Sequence, residues 1–170
     1  MRDTMLAELG RRVPRVELVL KKSNVAGGVV GAAPPTFRDI AGMFGWLADF
    51  PDETLLGVCL DGRNRVRHFG RLASGGITSV LVSPTTVLRM PLLTNSRGLI
   101  LIHNHPDGDP RPSSQDLEFT REIRRACRAM RVCLHEHLVL GWAGFYCRIC
   151  RQIDRGEERV ERAERVPAEQ

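Results

Sequence analysis

The sequence predicts an α/β domain, a mixed sheet flanked by helices. Three observations carry this. Short apolar runs of strand character alternate along the chain with segments whose apolar residues recur at helical spacing. Clusters of Gly, Pro, Asn, Asp and Ser punctuate the two kinds of segment. The chain has 170 residues, 42% apolar and 26% charged, which is one domain's length and an ordinary globular composition with enough apolar material for a core.

Taken in order, residues 1–14 read as a short helix ending before Pro14, and Val16 to Leu20 alternates as a first strand. Ala26 to Pro35 is a loop of Gly, Ala and Pro. Thr36-x-x-Asp39 opens a helix with a capping box, and Ile40, Met43, Phe44 and Leu47 give that helix, 36–50, one buried face. Pro51-Asp52 breaks it, and Glu53 leads into a strand from Thr54 to Leu60. Asp61-Gly62-Arg63-Asn64 turns the chain, and Arg65 to Gly70 returns as a hairpin partner. Ile77 to Val82 is a further strand. Ser83-Pro84 then starts a helix, with Ser as N-cap and Pro in the first helical position, and Pro91 closes it. Leu99-Ile100-Leu101-Ile102 is a buried strand bounded by Gly98 and Pro106. Val132 to Leu140 and Phe145 to Ile149 read as two last strands around Gly141-Trp142-Ala143-Gly144. The expected organisation is an N-terminal extension over 1–15, a domain over 16–150 and a charged tail over 151–170, either a solvated helix or disordered.

A formal charge of +5 and a pI near 9.3 permit contact with nucleic acid or with an acidic protein surface and prove neither. No apolar run is long enough to span a membrane, and Met1 to Leu6 lacks the apolar core of a secretory signal. Five cysteines without a small-scaffold pattern point to a reducing, cytoplasmic setting.

The chemistry concentrates in His103-Asn104-His105-Pro106, followed by Asp116. Residues i and i+2 of a strand share a face, so both imidazoles reach one point. Asp116 follows a loop of Pro, Gly and Ser and opens the next helix. Three protein ligands with one position open is the arrangement of a catalytic zinc rather than a structural one. Imidazole favours zinc over magnesium, while ligand identity leaves iron and manganese open. Asn104 faces the other way and is expected to fix the loop by a side-chain hydrogen bond. Asp107 and Asp109 are either acceptors for a ligating imidazole N–H or solvated turn carboxylates.

The string His103-x-His105-Pro106-x6-Ser113-x2-Asp116 resembles the JAMM (MPN+) metalloprotease signature, and its finer wording is similar to the RadC-like branch. The likeness covers roughly residues 16–150. Leu60-Asp61 and His137-Leu138-Val139-Leu140-Gly141 are its outer marks. Asp107 stands where the branch usually has Ser, and Glu136 where it usually has Asp. The resemblance implies a JAMM-like (cytidine-deaminase-like) three-layer fold with a curved sheet. It also implies a glutamate general base near the end of the first helix. Glu53, fifty positions before His103 and eight before Asp61, matches that place, with Asp52 and Asp49 as competitors. Ser113-x-x-Asp116 is a capping box in its own right; in the family the serine there also helps hold the oxyanion, and the two roles are compatible at a helix N-terminus.

Two further patterns stand out in the sequence. His135-x-His137 with Cys147-x-x-Cys150 has the ligands of a second, structural zinc, but i and i+3 on a strand point to opposite faces, and buried cysteines are common. Arg121, Arg124, Arg125, Arg128 and Arg131 follow Asp116 on one helix, with Leu117, Thr120, Ile123, Cys127 and Met130 as its buried side. A solvated arginine face is preferred there to a docking surface for an anionic partner. One Tyr, two Trp and six Phe do not suggest a base-stacking platform.

The expected function is a zinc-dependent hydrolase of a peptide or isopeptide bond, acting on a peptide or protein such as a ubiquitin-like or sulfur-carrier tail. The alternatives are a DNA-repair-associated, nucleic-acid-binding protein and a catalytically silent MPN scaffold. Longer RadC-like proteins carry an N-terminal segment resembling helix-hairpin-helix modules, and this chain is expected to start too late to include one. Oligomeric state is not legible.

Overall fold

The computed structural model describes residues 35–75, 82–142, 144–146, 149, 150 and 153. The strand expected over 16–20, the N-terminal helix, most of the strand expected over 77–82, and the tail apart from Ile153 lie outside the described residues.

The described elements are α1 (Phe37–Met43), a 3-10 helix (Gly45–Asp49), β1 (Thr54–Leu60), β2 (Val66–Ser74), α2 (Pro84–Leu93), β3 (Gly98–Asn104), α3 (Ser114–Ala129), β4 (Cys133–Gly141) and β5 (Gly144–Tyr146). They build a mixed five-stranded sheet in the order β2-β1-β3-β4-β5. β3 pairs parallel with β4 through the α3 crossover, and the other neighbours are antiparallel. Ile40, Phe44 and Leu47 pack on one face of the sheet against Val58, Ile100, Ile102 and Leu138. Val87 and Leu88 of α2 and Phe119, Ile123 and Cys127 of α3 pack on the other, against Leu55, Leu99 and Leu101. This is the expected α/β fold in three layers. β1 and β3 are buried along their whole length, which is why they read as continuous apolar runs rather than alternating ones.

The capping box at Thr36 and Asp39 forms as expected, with Asp39 Oδ2 accepting from Thr36 N at 2.8 Å, and Ser83 caps α2 through Thr86 N. Four details differ. The segment expected as one helix over 36–50 divides into α1 and the 3-10 helix: Gly42 and Gly45 flank the break, where helix propensity is lowest, and Phe44 to Leu47 closes a three-residue turn. Pro91 lies inside α2 instead of ending it. Its ring is buried, so packing offsets the lost hydrogen bond. The hairpin return runs on to Ser74. Finally, the strand expected over 145–149 stops at Tyr146, and Ile149 and Cys150 are helical. Ile149 and Ile153, a helical step apart, pack with Leu117 and Val139. No helix among the described residues is long and apolar enough to cross a membrane.

Polar groups anchor that C-terminal turn. Glu136 Oε1 accepts from Cys150 N (2.7 Å) and His137 N (2.9 Å), and Arg124 Nη1 donates to the Cys150 carbonyl at 2.6 Å. Burial pushes the Glu136 carboxyl up to about 7, against the opposing pull of those N–H donors and Arg124. A carboxyl raised in the folded state adds stability that is full below its unfolded pKa and lost as pH rises through the folded one. Glu136→Gln keeps the accepting oxygen and removes the titration. Thermal unfolding should therefore find the variant more stable than wild type by about 1–3 kcal/mol near pH 8 and equal to it near pH 4. A variant less stable at pH 8 would contradict this account.

Candidate metal centre

The site forms at the carboxyl end of β3, where ligands gather in open α/β sheets. Leu99, Leu101 and His103 point to the α2/α3 side, while Ile100, Ile102 and Asn104 point to the α1 side. His103 is therefore delivered, fully buried, beneath the first turn of α3. His105 lies one residue past the strand, still tied to β4 by its N–H to the Leu140 carbonyl at 3.0 Å. Asp116 sits in the first turn of α3 and is 4% exposed.

Asn104 does more than close the loop. Its Oδ1 accepts from Thr54 N at 2.8 Å, and its Nδ2 donates to the carbonyls of Phe50 and Asp52 at 3.1 and 3.3 Å. It thereby pins the segment that carries Glu53. The result is one cluster, Glu53, His103, His105 and Asp116, with a ligand atom from each within 4.8 Å of every other. Of the three carboxylates considered for the base, Glu53 is the one this cluster contains.

Within it, His103 Nε2 lies 3.0 Å from His105 Nε2 and 3.3 Å from Asp116 Oδ1, and His105 Nε2 lies 3.3 Å from Asp116 Oδ2. Two imidazole nitrogens this close need a proton or a cation between them. Burial, reinforced by the neighbouring His137, holds His103 neutral, well below the usual histidine range despite Asp116. Burial also opposes charge on His105, but Asp116, the Asp109 carbonyl and Glu53 outweigh it and raise its pKa. Burial opposes ionisation of Asp116 in turn, yet His105, His103 and the Ser113 hydroxyl hold its carboxyl far below the usual range. The donors available are thus a neutral imidazole, a second imidazole whose proton a metal would displace, and an ionised carboxylate. That set can hold a metal ion.

Each ring is also braced from behind. His105 Nδ1 donates to the Asp109 main-chain carbonyl at 2.7 Å. The Asp109 carboxylate instead engages Arg111, and Asp107 Oδ1 accepts from Asp109 N, so the loop carboxylates shape the turn rather than meet the imidazole. His103 Nδ1 lies 2.8 Å from His137 Nε2, and His137 Nδ1 lies 2.6 Å from Thr120 Oγ1. Sequence reasoning missed the parts played by Thr120 and His137. The available signal was Thr120 four residues after Asp116, on the same helix face. Ser113 N-caps α3, giving its hydroxyl hydrogen to Asp116 Oδ2 at 2.6 Å and accepting from Asp116 N at 3.1 Å.

The second cluster does not assemble among the described residues. Both ring nitrogens of His137 are hydrogen-bonded inside the first site, the His135 ring packs on Gly98, and Cys147 lies outside the described residues. On α3, Met130 is 48% exposed rather than buried, because the helix ends at Ala129, and Arg124 turns from the arginine face to hold Cys150.

Two histidines at the end of a buried strand, an aspartate in the first turn of the next helix and a glutamate beside them make a group in this α/β fold that could hold a metal ion. Residues 36–152 match the RadC-like JAB domain, and the chain belongs to that family. A UPF0758 protein of Streptococcus thermophilus is 30% identical over 141 residues, 83% of this chain and 58% of that protein. One from Ruegeria pomeroyi is 43% identical over 82 residues, 48% of this chain and 37% of that protein. One from Geobacter sulfurreducens is 35% identical over 89 residues, 52% of this chain and 39% of that protein. The chain spans less than two thirds of the length of each.

The loop that braces His105 is itself held by a close backbone approach. Gly108 adopts φ 83°, and a Cβ on Gly141 would meet Gly108 O at 2.2 Å and Pro110 N at 2.9 Å. Gly141→Ala must push the loop away and take the Asp109 carbonyl with it. The expected cost is about 1–3 kcal/mol in chemical denaturation, as for other overpacked sites, together with weaker metal uptake. Unchanged stability and uptake would mean that the loop adjusts freely.

Proposed function

We propose that this chain is a zinc-dependent hydrolase that cleaves an amide bond, peptide or isopeptide. The observation that supports it most is the convergence of Glu53, His103, His105 and Asp116 on one point. In this reading His103, His105 and Asp116 hold the metal, and two imidazoles with one carboxylate suit zinc. Zinc, when bound, supplies a Lewis acid that polarises the substrate carbonyl and acidifies a water. Glu53, the member of the cluster that leads into β1, would take a proton from the attacking water and pass it to the leaving amine. Ser113 stands at the N-terminus of α3, where the helix dipole favours developing negative charge. Its hydroxyl hydrogen lies on Asp116, so donating to a substrate oxyanion requires it to rotate away.

The substrate in this reading is a peptide or protein, with a ubiquitin-like or sulfur-carrier tail as one class. The DNA-associated alternative rests on a different surface, the exposed Arg121, Arg125 and Arg128 of α3 with Arg131 just past its end, which Glu118 and Glu122 partly offset. A salt-dependent shift of labelled DNA would support it.

Elemental mass spectrometry should find about one zinc per chain, as a single mononuclear site requires. Glu53→Gln should keep the zinc and lose turnover on peptide and isopeptide libraries by about 100-fold or more, the usual share of a general base. His105→Ala should lose both. No zinc after reconstitution would sink the hydrolase reading, and full activity in Glu53→Gln would place the base elsewhere.

A further inference from the structure

The hydrogen bonds behind His103 run in one direction. The main-chain carbonyl of Asp116 can only accept, and the single hydroxyl hydrogen of Thr120 goes to it at 2.6 Å. The Thr120 oxygen then accepts from Nδ1–H of His137 at 2.6 Å. A neutral ring that carries its proton on Nδ1 leaves Nε2 as an acceptor, and His137 Nε2 stands 2.8 Å from His103 Nδ1. His103 in turn carries its proton on Nδ1, so its Nε2 lone pair faces His105 and Asp116. Thr120, His137 and His103 are each 0% exposed.

We propose that His137, oriented by Thr120, is a positioning residue of the metal centre: it locks His103 in the Nδ1–H tautomer and so presents Nε2 to the ion. This rests on the reading of His103 as a ligand. The contrast with His105 sharpens the point. His105 gains its tautomer from a main-chain carbonyl, whereas His103 gains it from a side chain that substitution can remove.

Nitrogen NMR of the imidazoles in the full chain, zinc-free and zinc-loaded, tests this without mutation. His137 should carry its proton on Nδ1 and none on Nε2 in both states; a proton found on His137 Nε2 overturns the proposal. Zinc affinity, read by competition with a chromophoric chelator, should fall about 10- to 100-fold in His137→Leu, as for other partners of ligating histidines. It should recover in large part in His137→Gln, whose side-chain carbonyl can accept from His103, and fall less in Thr120→Val than in His137→Leu. Affinity unchanged in His137→Leu would refute the positioning role and leave the zinc reading intact. If wild type takes up no zinc, the hydrolase reading and the positioning role fall together, whatever tautomer His137 shows.

Discussion

The pairing of β3 between β1 and β4 is the constraint on which the site depends. On one side, the antiparallel register sets Leu55 opposite His103, which brings the chain just before β1 alongside the end of β3. Asn104 then locks the two together through Thr54 N and the carbonyls of Phe50 and Asp52. On the other side, the parallel register sets His103 opposite Val139 and Leu101 opposite His137. Parallel neighbours require a crossover, and the crossover is α3, whose first turn returns Asp116 over the strand end. Residues far apart in sequence meet because these two backbone registers agree. Sliding β3 by one residue would turn His103 to the α1 side and Asn104 to the α3 side.

Burial gives these contacts their force. Charges withdrawn from water are costly unless they are paired or hold a metal. The site answers with compensation at each position. Asp116 takes hydrogen bonds from the main chain and hydroxyl of Ser113, His105 leans on a main-chain carbonyl, and His103 stays neutral. At the centre itself two imidazole nitrogens and the carboxylate oxygens of Asp116 converge. A proton can bridge one such pair, whereas a divalent ion can satisfy all of them together. On this electrostatic argument the group could hold a cation.

Much of this was legible because the chemistry is local in sequence. His103 and His105 are two residues apart, Ser113 and Asp116 form a capping box, and the apolar run before them announces a buried strand. The helix–strand order followed from spacing and turn residues for the same reason. What escaped reading depended on the third dimension. A short apolar segment such as 145–149 fits either a strand or a helical turn, and only contact with Leu117 and Val139 decides between them. Pro91 reads as a stop unless its ring is known to be buried. His137 looked like a family mark or half of a cysteine–histidine cluster. Its direction became visible only when β4 was laid in register beside β3, and Thr120 was hidden among the apolar residues of its helix face.

The two histidines of the motif also differ in how their geometry can fail. His105 depends on the 106–111 loop, and that loop keeps its place because Gly108 and Gly141 let two backbones touch where any side chain would part them. His103 depends on packed elements, a strand at the centre of the sheet and the first two turns of α3. A disturbance of the loop should therefore reach one imidazole, and a disturbance of the helix should reach the other together with Asp116. A group that could hold a metal needs its donor atoms within a few tenths of an ångström of their places, so either disturbance is enough to weaken it. The end of β4, where Gly141 meets that loop, is for this reason as much a part of the candidate site as the motif itself.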